Sequence, residues 1–333
     1  MTAVTAVTPP RPQVTVIGDV GLDVLARVAG PVALGQDTRA GVSMTPGGAG
    51  GNTAAWLARH DLDVALIARV GADEAGRTAA AELSAAGVRC RFAFDEVLPT
   101  CCVVVVVAPD GDRTMLSDRG ANAALSPDDV TLEPVTGRGH LHLSGYVLLD
   151  NASRPAGLAA LRRAMAMGWT TSVDPQAASH LAAAGARTFL SWVEGVDLLL
   201  PNDSELDALG GAAAALQAAR AVVVTHGRHG ASWLTPTDTF SVPTPGADHP
   251  DSGGAGPKAK DTTGAGDAFN AGLLASWLRG DGPEAALRHG VAAGTAAAGR
   301  VGARPAARAG STAGAEPRAD APPTGSRPPG RPR

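Results

Sequence analysis

Residues 261–269 read Asp-Thr-Thr-Gly-Ala-Gly-Asp-Ala-Phe, and a helix-forming run continues from Ala268 to Leu278. Small residues before a helix leave backbone N–H groups unpaired, which makes the helix start a binding place for anions. The glycines let another molecule approach the backbone closely. Asp267 falls in the first helical turn. It therefore either complements the helix dipole or takes a proton from a hydroxyl that attacks a phosphoryl group.

A second glycine-rich segment, residues 47–52, reads Gly-Gly-Ala-Gly-Gly-Asn and precedes a helix-like run at 53–59. It is not the dinucleotide-binding fingerprint, because that motif directly follows the first strand, and here about thirty residues intervene after the strand at 14–17. The chain has no GxxxxGK[ST] motif, and its only two lysines are Lys258 and Lys260. The sequence therefore excludes a P-loop ATPase.

The length and composition fit one large domain with a tail at each end. Of the 333 residues, 44% are hydrophobic and 3% are aromatic, so the core must be aliphatic. Residues 304–333 carry six arginines and two acids but no Leu, Ile, Val or aromatic residue, and we expect this tail and residues 1–12 to be disordered. The net charge of −4 divides into +4 on the C-terminal tail and −8 on the rest, which argues against a nucleic-acid partner.

Cysteine content and hydropathy bear on the location of the protein. Three cysteines are too few for a disulfide framework, and a reducing compartment suits buried thiols. The sequence contains no run of 18 uncharged apolar residues and no basic-then-apolar pattern at its start. We therefore predict a cytoplasmic protein with no membrane partner.

Apolar strand-like runs alternate with helix-forming runs along most of the chain. Predicted strands cover residues 14–17, 64–70, 140–143, 170–173, 196–200 and 221–225, and predicted helices cover 53–59, 78–86, 156–166 and 212–219. This alternation predicts an α/β fold in which a central, mostly parallel sheet is covered by helices on both faces. Segments at about 32–43 and 89–118 do not alternate in this way, and we predict that they form a small β lid.

Polar residues follow several of the predicted strands, where ligands bind in an open parallel sheet. Asp19 and Asp23 follow the first strand, Asp174 ends a middle strand, and Asn202 and Thr225 end later ones. A carboxylate such as Asp23 can accept two hydrogen bonds from adjacent hydroxyls. Asn202 and Glu205 are three residues apart, so they share one face of a helical turn.

The two glycine-rich segments together resemble the two signatures of the ribokinase-like (PfkB) carbohydrate kinase family. Residues 47–54 resemble the N-terminal signature, and residues 261–274 resemble the C-terminal one throughout. Family landmarks in the expected order are Gly111-Asp112-Arg113, Asn202 to Glu205, Thr225 to Ala231, and Gly302-Ala303. The resemblance covers about residues 13–303, and it implies one kinase domain with the family's three-layer sandwich and β lid.

The resemblance also implies an activity, the phosphorylation of a hydroxyl of a small sugar by ATP with Mg²⁺. The catalytic residues would be Asp267 as general base and Gly264, Ala265 and Gly266 as a backbone anion hole. The sugar would be bound by Asp23, Gly48, Asn52 and Asp19, and the nucleotide by Asn202, Thr225 and Gly227. Glu205 would organise Mg²⁺ through water, while Asp261 and Thr263 would support a monovalent cation such as K⁺.

Departures from the family pattern leave the substrate open. Gly21, Ala49 and Ser144 stand where ribokinases proper carry Asn, Lys and Glu, which speaks against ribose itself. One alternative is a nucleoside kinase, in which Phe92 or Phe94 of the predicted lid would stack on a base. The other is a non-catalytic sugar or nucleotide sensor, against which an intact Asp267 argues. The sequence also leaves open whether the chain forms a homodimer through the lid.

Overall fold

A computed structural model of the chain describes residues 11–110, 112–135, 137–245 and 261–306. Within these ranges the strands are β1 (Gln13–Ile17), β2 (Gly21–Val28), β3 (Ala40–Gly47), β4 (Asp63–Gly71), β5 (Val88–Asp95), β6 (Cys101–Val107), β7 (Arg113–Asp118), β8 (Gly139–Ser144), β9 (Thr170–Asp174), β10 (Val196–Leu199), β11 (Ala219–Thr225), β12 (Ala231–Leu234) and β13 (Thr239–Val242). The α-helices are α1 (Ala49–Arg59), α2 (Glu74–Ala85), α3 (Tyr146–Leu149), α4 (Arg154–Ala166), α5 (Ala178–Ala184), α6 (Ala186–Trp192), α7 (Asp203–Ala208), α8 (Ala212–Ala218), α9 (Ala265–Leu278) and α10 (Pro283–Ala298).

The central sheet has the strand order β13-β12-β11-β10-β9-β8-β1-β4-β5. Every neighbouring pair of strands from β11 to β5 is parallel. Only the pairs β11–β12 and β12–β13, at one edge of the sheet, are antiparallel. The order reverses between β1 and β8, because β4 and β5 lie on one side of β1 and β8 to β11 on the other. Ligands bind at such a reversal, beyond the carboxyl ends of the strands.

Two hydrophobic cores, one on each face of this sheet, make the fold a three-layer sandwich. One core contains Trp56, Leu83, Phe269 and Leu287 from α1, α2, α9 and α10. The other contains Leu161, Leu181 and Phe189 from α4, α5 and α6. Strand residues alternate between the cores, as period-two side chains must: Val223 of β11 faces the first, whereas Val222 and Val224 face the second. The predicted α/β class and mostly parallel sheet are confirmed.

The lid is a second sheet of four strands in the order β3-β2-β6-β7. The predicted lid segments at about 32–43 and 89–118 were therefore only partly correct, because strand β2 was missed and β5 was wrongly included. Strand β5 pairs in parallel with β4 over eight residue pairs, from Val64↔Val88 to Gly71↔Asp95, and so forms the edge of the central sheet. Its side chains Cys90 and Phe92 pack against the first core, which fixes it there.

The position of β5 also removes a reason for the nucleoside kinase alternative. Phe92 and Phe94 contact each other with ring centroids 6.5 Å apart, but on the central sheet and not in the lid. Phe92 packs on the core, and Phe94 is 45% exposed at the sheet edge. The two rings pack against each other, and the pair gives no support to stacking on a nucleobase.

The predicted tails lie mostly outside the described residues, namely 1–10 and 307–333. Residues at the inner end of each predicted tail nevertheless belong to the fold, so the two predicted tail boundaries need correction. The Pro12 carbonyl accepts a hydrogen bond from the Asp63 N–H at 3.2 Å. Arg304 is largely buried, with a side chain only 11% exposed. Along the part of the chain with described coordinates, no helix is long and apolar enough to cross a membrane.

Candidate active site

Helix α9 begins beside the carboxyl end of the central sheet. Gly264 precedes it with φ 73°, a left-handed conformation that favours glycine, and a Cβ there would lie 2.5 Å from the Ala303 carbonyl oxygen. A Cβ at Gly266 would meet no atom within 4 Å. Gly264 is therefore required by the fold, while Gly266 borders open space in front of the helix start.

Asp267 lies half-buried in the first turn of α9, where helix α1 packs against it. Its Oδ2 accepts a hydrogen bond from Asn52 Nδ2 at 3.0 Å, and its Oδ1 accepts one from Thr53 Oγ1 at 3.2 Å. Burial raises the pKa of Asp267 to about 6, although these hydrogen bonds and the charge of Arg304 lower it. The carboxylate is thus held in place by neutral donors and is a base of near-neutral strength.

The predicted anion hole is only partly open. The Ala265 N–H donates to the Thr262 carbonyl at 3.2 Å, so it is occupied within the loop and differs from the prediction. The N–H groups of Gly264 and Gly266 form no hydrogen bond with any other described residue. Two of the three predicted donors are therefore available at the positive end of the α9 dipole.

Asp23 lies on β2, on the face of the lid that is turned toward Asp267. A Cβ at Gly47 would come within 2.2 Å of Asp23 Oδ1, so only glycine leaves room for this carboxylate. Burial raises the pKa of Asp23, and Arg304 lowers it. No hydrogen bond to the Asp23 carboxylate is found among the described residues. It is therefore a free acceptor in the cleft, as the sequence predicted for a ligand of hydroxyl groups.

Gly48 and Asn52 both lie where predicted, at the start of α1, but their contacts differ in kind. Gly48 has φ 90°, and a Cβ would lie 2.5 Å from the Asp19 carbonyl oxygen, so this glycine allows the chain to pack on itself. The Asn52 side chain is buried and bonded to Asp267 on one side and to Arg304 Nε, at 3.2 Å, on the other. Asn52 therefore contacts the Asp267 carboxylate directly.

Asp19 differs from its predicted function as a sugar ligand. It is buried, and both of its carboxylate oxygens accept hydrogen bonds from the Arg119 guanidinium, at 2.8 and 2.9 Å. Arg119 also donates to Asp150 Oδ2 at 2.8 Å and lies 4.8 Å from the ring centroid of Tyr146. Asp19 thus anchors Arg119 at the point where lid strand β7 returns to the domain, since each of its oxygens already accepts a hydrogen bond from the guanidinium.

Asn202 and Glu205 form a reciprocal cap at the start of α7. Asn202 Nδ2 donates to Glu205 Oε1 at 2.7 Å, the Asn202 N–H donates to Oε2 at 2.9 Å, and the Glu205 N–H donates back to Asn202 Oδ1 at 2.9 Å. Burial raises the pKa of Glu205 to about 7. Asn202 also forms a parallel bridge to Thr225, which joins this cap to the end of β11.

Asp174 is a third acid at this end of the sheet. It is buried at the end of β9, and its Oδ2 accepts a hydrogen bond from Asn270 Nδ2 of α9 at 2.8 Å. Burial, together with the charges of Glu205 and Asp267, raises its pKa well above the usual value. Such acids fit a divalent cation, whose charge would offset theirs. No three metal-ligating side chains converge in the described ranges, so an ion would also need water and phosphate ligands.

The loop after β11 is held by His226, which lies between the two predicted nucleotide ligands Thr225 and Gly227. His226 Nδ1 is 2.7 Å from Asp203 Oδ1, and its Nε2 is 2.9 Å from Ser232 Oγ. Gly227 has φ 54°, and a Cβ there would meet no atom within 4 Å. The loop is thus fixed at its base and open on its Gly227 side.

The predicted cation ligand Asp261 is occupied by groups of its own chain. Its carboxylate accepts hydrogen bonds from Thr263 Oγ1 at 2.6 Å, from the Thr263 N–H at 3.0 Å, from the Gly302 N–H at 3.2 Å and from Arg113 Nη2 at 3.0 Å. Burial alone would raise the pKa of Asp261, but these partners lower it to about 2. The Asp261 side chain therefore anchors this loop, and the support of a monovalent cation by the loop stays a prediction.

Comparison with known protein families identifies the family of this chain. The model of the pfkB family of carbohydrate kinases matches residues 11–309. The chain belongs to this family. It is a carbohydrate kinase, as the sequence predicted. The alternative of a non-catalytic sensor is therefore not kept.

Three proteins illustrate what this carbohydrate kinase resembles. An ATP-dependent ribose-1-phosphate kinase of Halopiger xanaduensis is 34% identical over 290 residues, which are 85% of this chain and 90% of that protein. The structure of a fructokinase from Vibrio cholerae O395, with fructose, ADP and calcium bound, is 26% identical and covers 88% of this chain and 94% of its own, with a TM-score of 0.71. A protein of E. coli described as a ribokinase II, in complex with ATP and Mg²⁺, shares the fold at 22% identity and a TM-score of 0.74, over 88% and 94% of the two chains.

Sequence reasoning missed several residues of this carbohydrate kinase's site. Thr53 follows the predicted ligand Asn52 and bonds the other oxygen of the same acid. Arg113 crosses from the lid to Asp261 and to Thr263 Oγ1, the latter at 2.7 Å. The place of Thr53 inside the first signature and the place of Arg113 in the family landmark Gly111-Asp112-Arg113 were the available signals. Arg304 had only its position after Gly302-Ala303.

Proposed function

We propose that this kinase transfers the γ-phosphoryl group of ATP to a hydroxyl of a small sugar bound between Asp23 and Asp267, with Asp267 as general base. The observation that carries the proposal is the environment of Asp267. Two neutral donors orient its carboxylate, burial raises its pKa to about 6, and two unpaired N–H groups lie one and three residues before it. A base of this strength is available at neutral pH and close enough in pKa to accept a proton during attack.

The proposed reaction transfers one proton and one phosphoryl group. The acceptor hydroxyl gives its proton to an Asp267 oxygen while its own oxygen bonds to the γ-phosphorus. The bond between that phosphorus and the bridging oxygen breaks, and ADP leaves with the bond's electron pair. The Gly264 and Gly266 N–H groups donate to the oxygens of the transferred group, on which charge develops. Loss of such donors typically slows catalysis by about 10²- to 10³-fold.

We assign the sugar to the lid side and the nucleotide to the side of β10 and β11. Asp23 accepts hydrogen bonds from sugar hydroxyls, because it is a carboxylate with no partner among the described residues. Thr225 and Gly227 border the nucleotide. Glu205 and Asp174 are the acids that would hold Mg²⁺, Glu205 through water. The ion would supply charge neutralisation of the phosphates.

The relatives suggest two classes of acceptor. Free sugars are favoured by the fructokinase whose structure contains fructose. A pentose 1-phosphate is favoured by the ribose-1-phosphate kinase, which is 34% identical and covered over 90% of its length. Gly21 and Ser144 differ from the polar residues of ribokinases proper, which speaks against free ribose in either case.

A substrate panel tests the function and separates the acceptors. ADP release would be measured with ATP and Mg²⁺ on D-fructose, D-ribose, D-ribose 1-phosphate and adenosine, with Asp267→Asn as the blank. Turnover of fructose or of ribose 1-phosphate above the blank supports the proposal and selects the acceptor class. Turnover of adenosine alone would replace the sugar by a nucleoside. Activity equal to the blank on all four acceptors would contradict the proposal.

We also propose a homodimer formed through the outer face of the lid, the face turned away from Asp23. Register places Val24, Met44, Val104 and Leu116 in one row across this face. Met44 and Leu116 are 69% and 60% exposed. This row of apolar side chains suits a second copy, and the charged Asp118 of the same face lies at the end of β7, two residues beyond Leu116.

Sedimentation of wild type, Met44→Glu and Met115→Glu at equal concentration tests the dimer. Met115 is the control, because it lies on the opposite face of β7. We expect a dimer for wild type and Met115→Glu and a monomer for Met44→Glu. A monomeric wild type at tens of micromolar would contradict this proposal without touching the kinase assignment.

A further inference from the structure

Arg304 belongs to the segment that follows helix α10, described as far as residue 306. Its side chain is 11% exposed and lies against the start of α1. Nε donates to Asn52 Oδ1 at 3.2 Å, and Nη2 donates to the Gly47 carbonyl at 2.9 Å. Nη1 lies 3.7 Å from a Glu82 carboxylate oxygen, too far for a hydrogen bond, and is buried. The guanidinium thus contacts two residues of the sugar-binding signature at once.

The backbone on the N-terminal side of Arg304 is held at two points. The Gly302 N–H donates to Asp261 Oδ2 at 3.2 Å, and the Ala303 carbonyl accepts a hydrogen bond from Trp56 Nε1 at 2.9 Å. A Cβ at Gly51 would lie 2.7 Å from Arg304 Nη2, so the guanidinium occupies space that the glycine leaves free. The position of Arg304 is therefore determined by its own segment and by the shape of α1.

The chemistry of an amide makes this contact consequential. The two ends of the Asn52 side chain are nearly the same shape, but only Nδ2 can donate to the Asp267 carboxylate. Rotated by half a turn, the amide would turn its oxygen toward a carboxylate oxygen and repel it. Arg304 Nε can only donate, so it selects the orientation in which Oδ1 faces the guanidinium and Nδ2 faces Asp267.

We propose that Arg304 is a positioning residue of the phosphoryl-transfer site, which fixes the Asn52 amide and the Gly47 carbonyl so that Asp267 is held in one orientation. The inference rests on the proposed function of Asp267 as the base. Arg304 acts through Asn52 and does not touch the reacting atoms. Its contribution is geometric and electrostatic, because its charge also favours the ionised form of Asp267.

Two substitutions separate these contributions. Arg304→Met removes the charge and every donor, whereas Arg304→Lys keeps the charge but loses the planar fork that reaches Asn52 and Gly47 together. Arg300→Met is the matched control, since Arg300 is an exposed arginine four residues earlier. kcat, both KM values and the pH dependence of kcat would be measured with the best acceptor of the substrate panel.

We expect Arg304→Met to lower kcat about tenfold or more, as misplacement of a catalytic group does, with the KM for ATP nearly unchanged. The acid limb of its pH profile should move to higher pH, because the remaining charged groups that face Asp267 are Asp23 and Asp174. Arg304→Lys should lower kcat but leave the acid limb near that of wild type. Arg300→Met should match wild type in both.

Two results would overturn the proposal. One is kcat and an acid limb equal to those of Arg300→Met in both Arg304 variants, even if their melting temperatures fall, because Arg304 would then be structural only. The other is an unchanged carboxyl signal of Asp267 in a ¹³C NMR pH titration of Arg304→Met, with Asp267→Asn assigning the signal. This titration needs no acceptor, so it remains decisive if the substrate panel fails. If Arg304→Met does not fold, Arg304→Lys carries the kinetic test.

Gly51→Ala offers an independent check that leaves Arg304 itself intact. The added methyl group would displace the far end of the guanidinium, which is flexible, and not backbone. We expect kcat to fall several-fold in the direction of Arg304→Met, and the double variant to be no worse than Arg304→Met alone. Additive losses in the double variant would contradict a shared route through Arg304.

Discussion

Helices α1 and α9 both begin in glycine-rich sequence and pack against each other, but the space around their glycines differs. At α1, a Cβ on Gly48 or Gly50 would lie 2.5 or 2.6 Å from backbone atoms of residues 18 and 19. At α9, a Cβ on Gly266 would meet nothing within 4 Å. The first set of glycines lets the chain pack on itself, and Gly266 leaves a surface free for a ligand.

The difference assigns separate duties to the two helix starts. The start of α1 supplies rigid donors, Asn52 and Thr53, whose positions depend on tight backbone packing. The start of α9 supplies the acid and the open N–H groups. Gly264 shares a feature of each helix start. Its N–H is open like that of Gly266, while its positive φ and its contact with Ala303 resemble the packed glycines of α1. Substitutions on the two sides should therefore fail in different ways.

The largest effect is expected on the α9 side. Asp267→Asn should lower kcat by at least about 10²-fold, since the base is lost, with little change in the KM for ATP. Its melting temperature should not fall, because an amide in this site avoids the cost of burying a charge. Steady-state kinetics and thermal unfolding check both statements. Turnover near the wild-type rate would show that Asp267 is not the base.

On lid strand β2, which leads toward the glycines before α1, Asp23→Ala should raise the KM for the sugar by about tenfold or more, the usual loss for hydrogen bonds to a charged group. The KM for ATP should change little, because Asp23 lies on the lid and the proposed nucleotide ligands lie after β10 and β11. Initial rates at varied sugar and varied ATP measure the two constants. An equal rise in both would refute the assignment of Asp23 to the sugar.

The glycines themselves give the sharpest form of the comparison. Gly48→Ala should lower the free energy of unfolding by about 1–3 kcal/mol, because its φ is positive and the methyl group would clash. Gly266→Ala should leave stability unchanged or slightly raised, since alanine favours the helix, yet lower kcat about tenfold by obstructing the open N–H groups. Denaturant unfolding and kcat would be compared for both. Equal losses of stability in the two variants would contradict the proposed difference between the two helix starts.

The effect that should be smallest near neutral pH is a pH dependence. Since the base must be ionised and its pKa is raised to about 6, kcat should fall about tenfold for each pH unit below 6. Stability should change in the opposite sense: the folded-state pKa lies above the unfolded value of 3.8, so this group favours the folded state progressively as pH falls from 6 toward 4. Comparing wild type with Asp267→Asn across this range isolates the effect. Identical stability profiles would contradict the raised pKa.

The central sheet was predictable because buried parallel strands are continuous apolar runs, such as residues 64–70 and 221–225. The lid was predicted less well. Strand β2 mixes Asp23 and Arg27 into its apolar pattern, since one face meets the cleft, and no simple alternation marks it. Strand β5 was assigned to the wrong sheet because its alternating pattern fits a half-exposed edge of either sheet.

The site was predicted in its residues more than in its contacts. Asp267 and Asn52 lie in contact, because the two signatures that contain them form the starts of helices α9 and α1, which pack together. Asp19 pairs with Arg119, which lies 100 positions away, and no local sequence pattern predicts this ion pair. Arg304 was hidden for another reason. It begins a segment of Pro, Ala and Gly in which nothing large can be buried except the arginine stem and head.

The contact between Asn52 and Arg304 joins residues 252 positions apart. A chain that is still being translated therefore carries its acid, its donors and its lid before it carries the guanidinium that orients them. We expect a nascent chain stopped shortly before residue 304 to possess nearly every catalytic part and still be a poor enzyme. A truncated copy that lacks residue 304 would then add little unwanted turnover, even if it contains every other catalytic part.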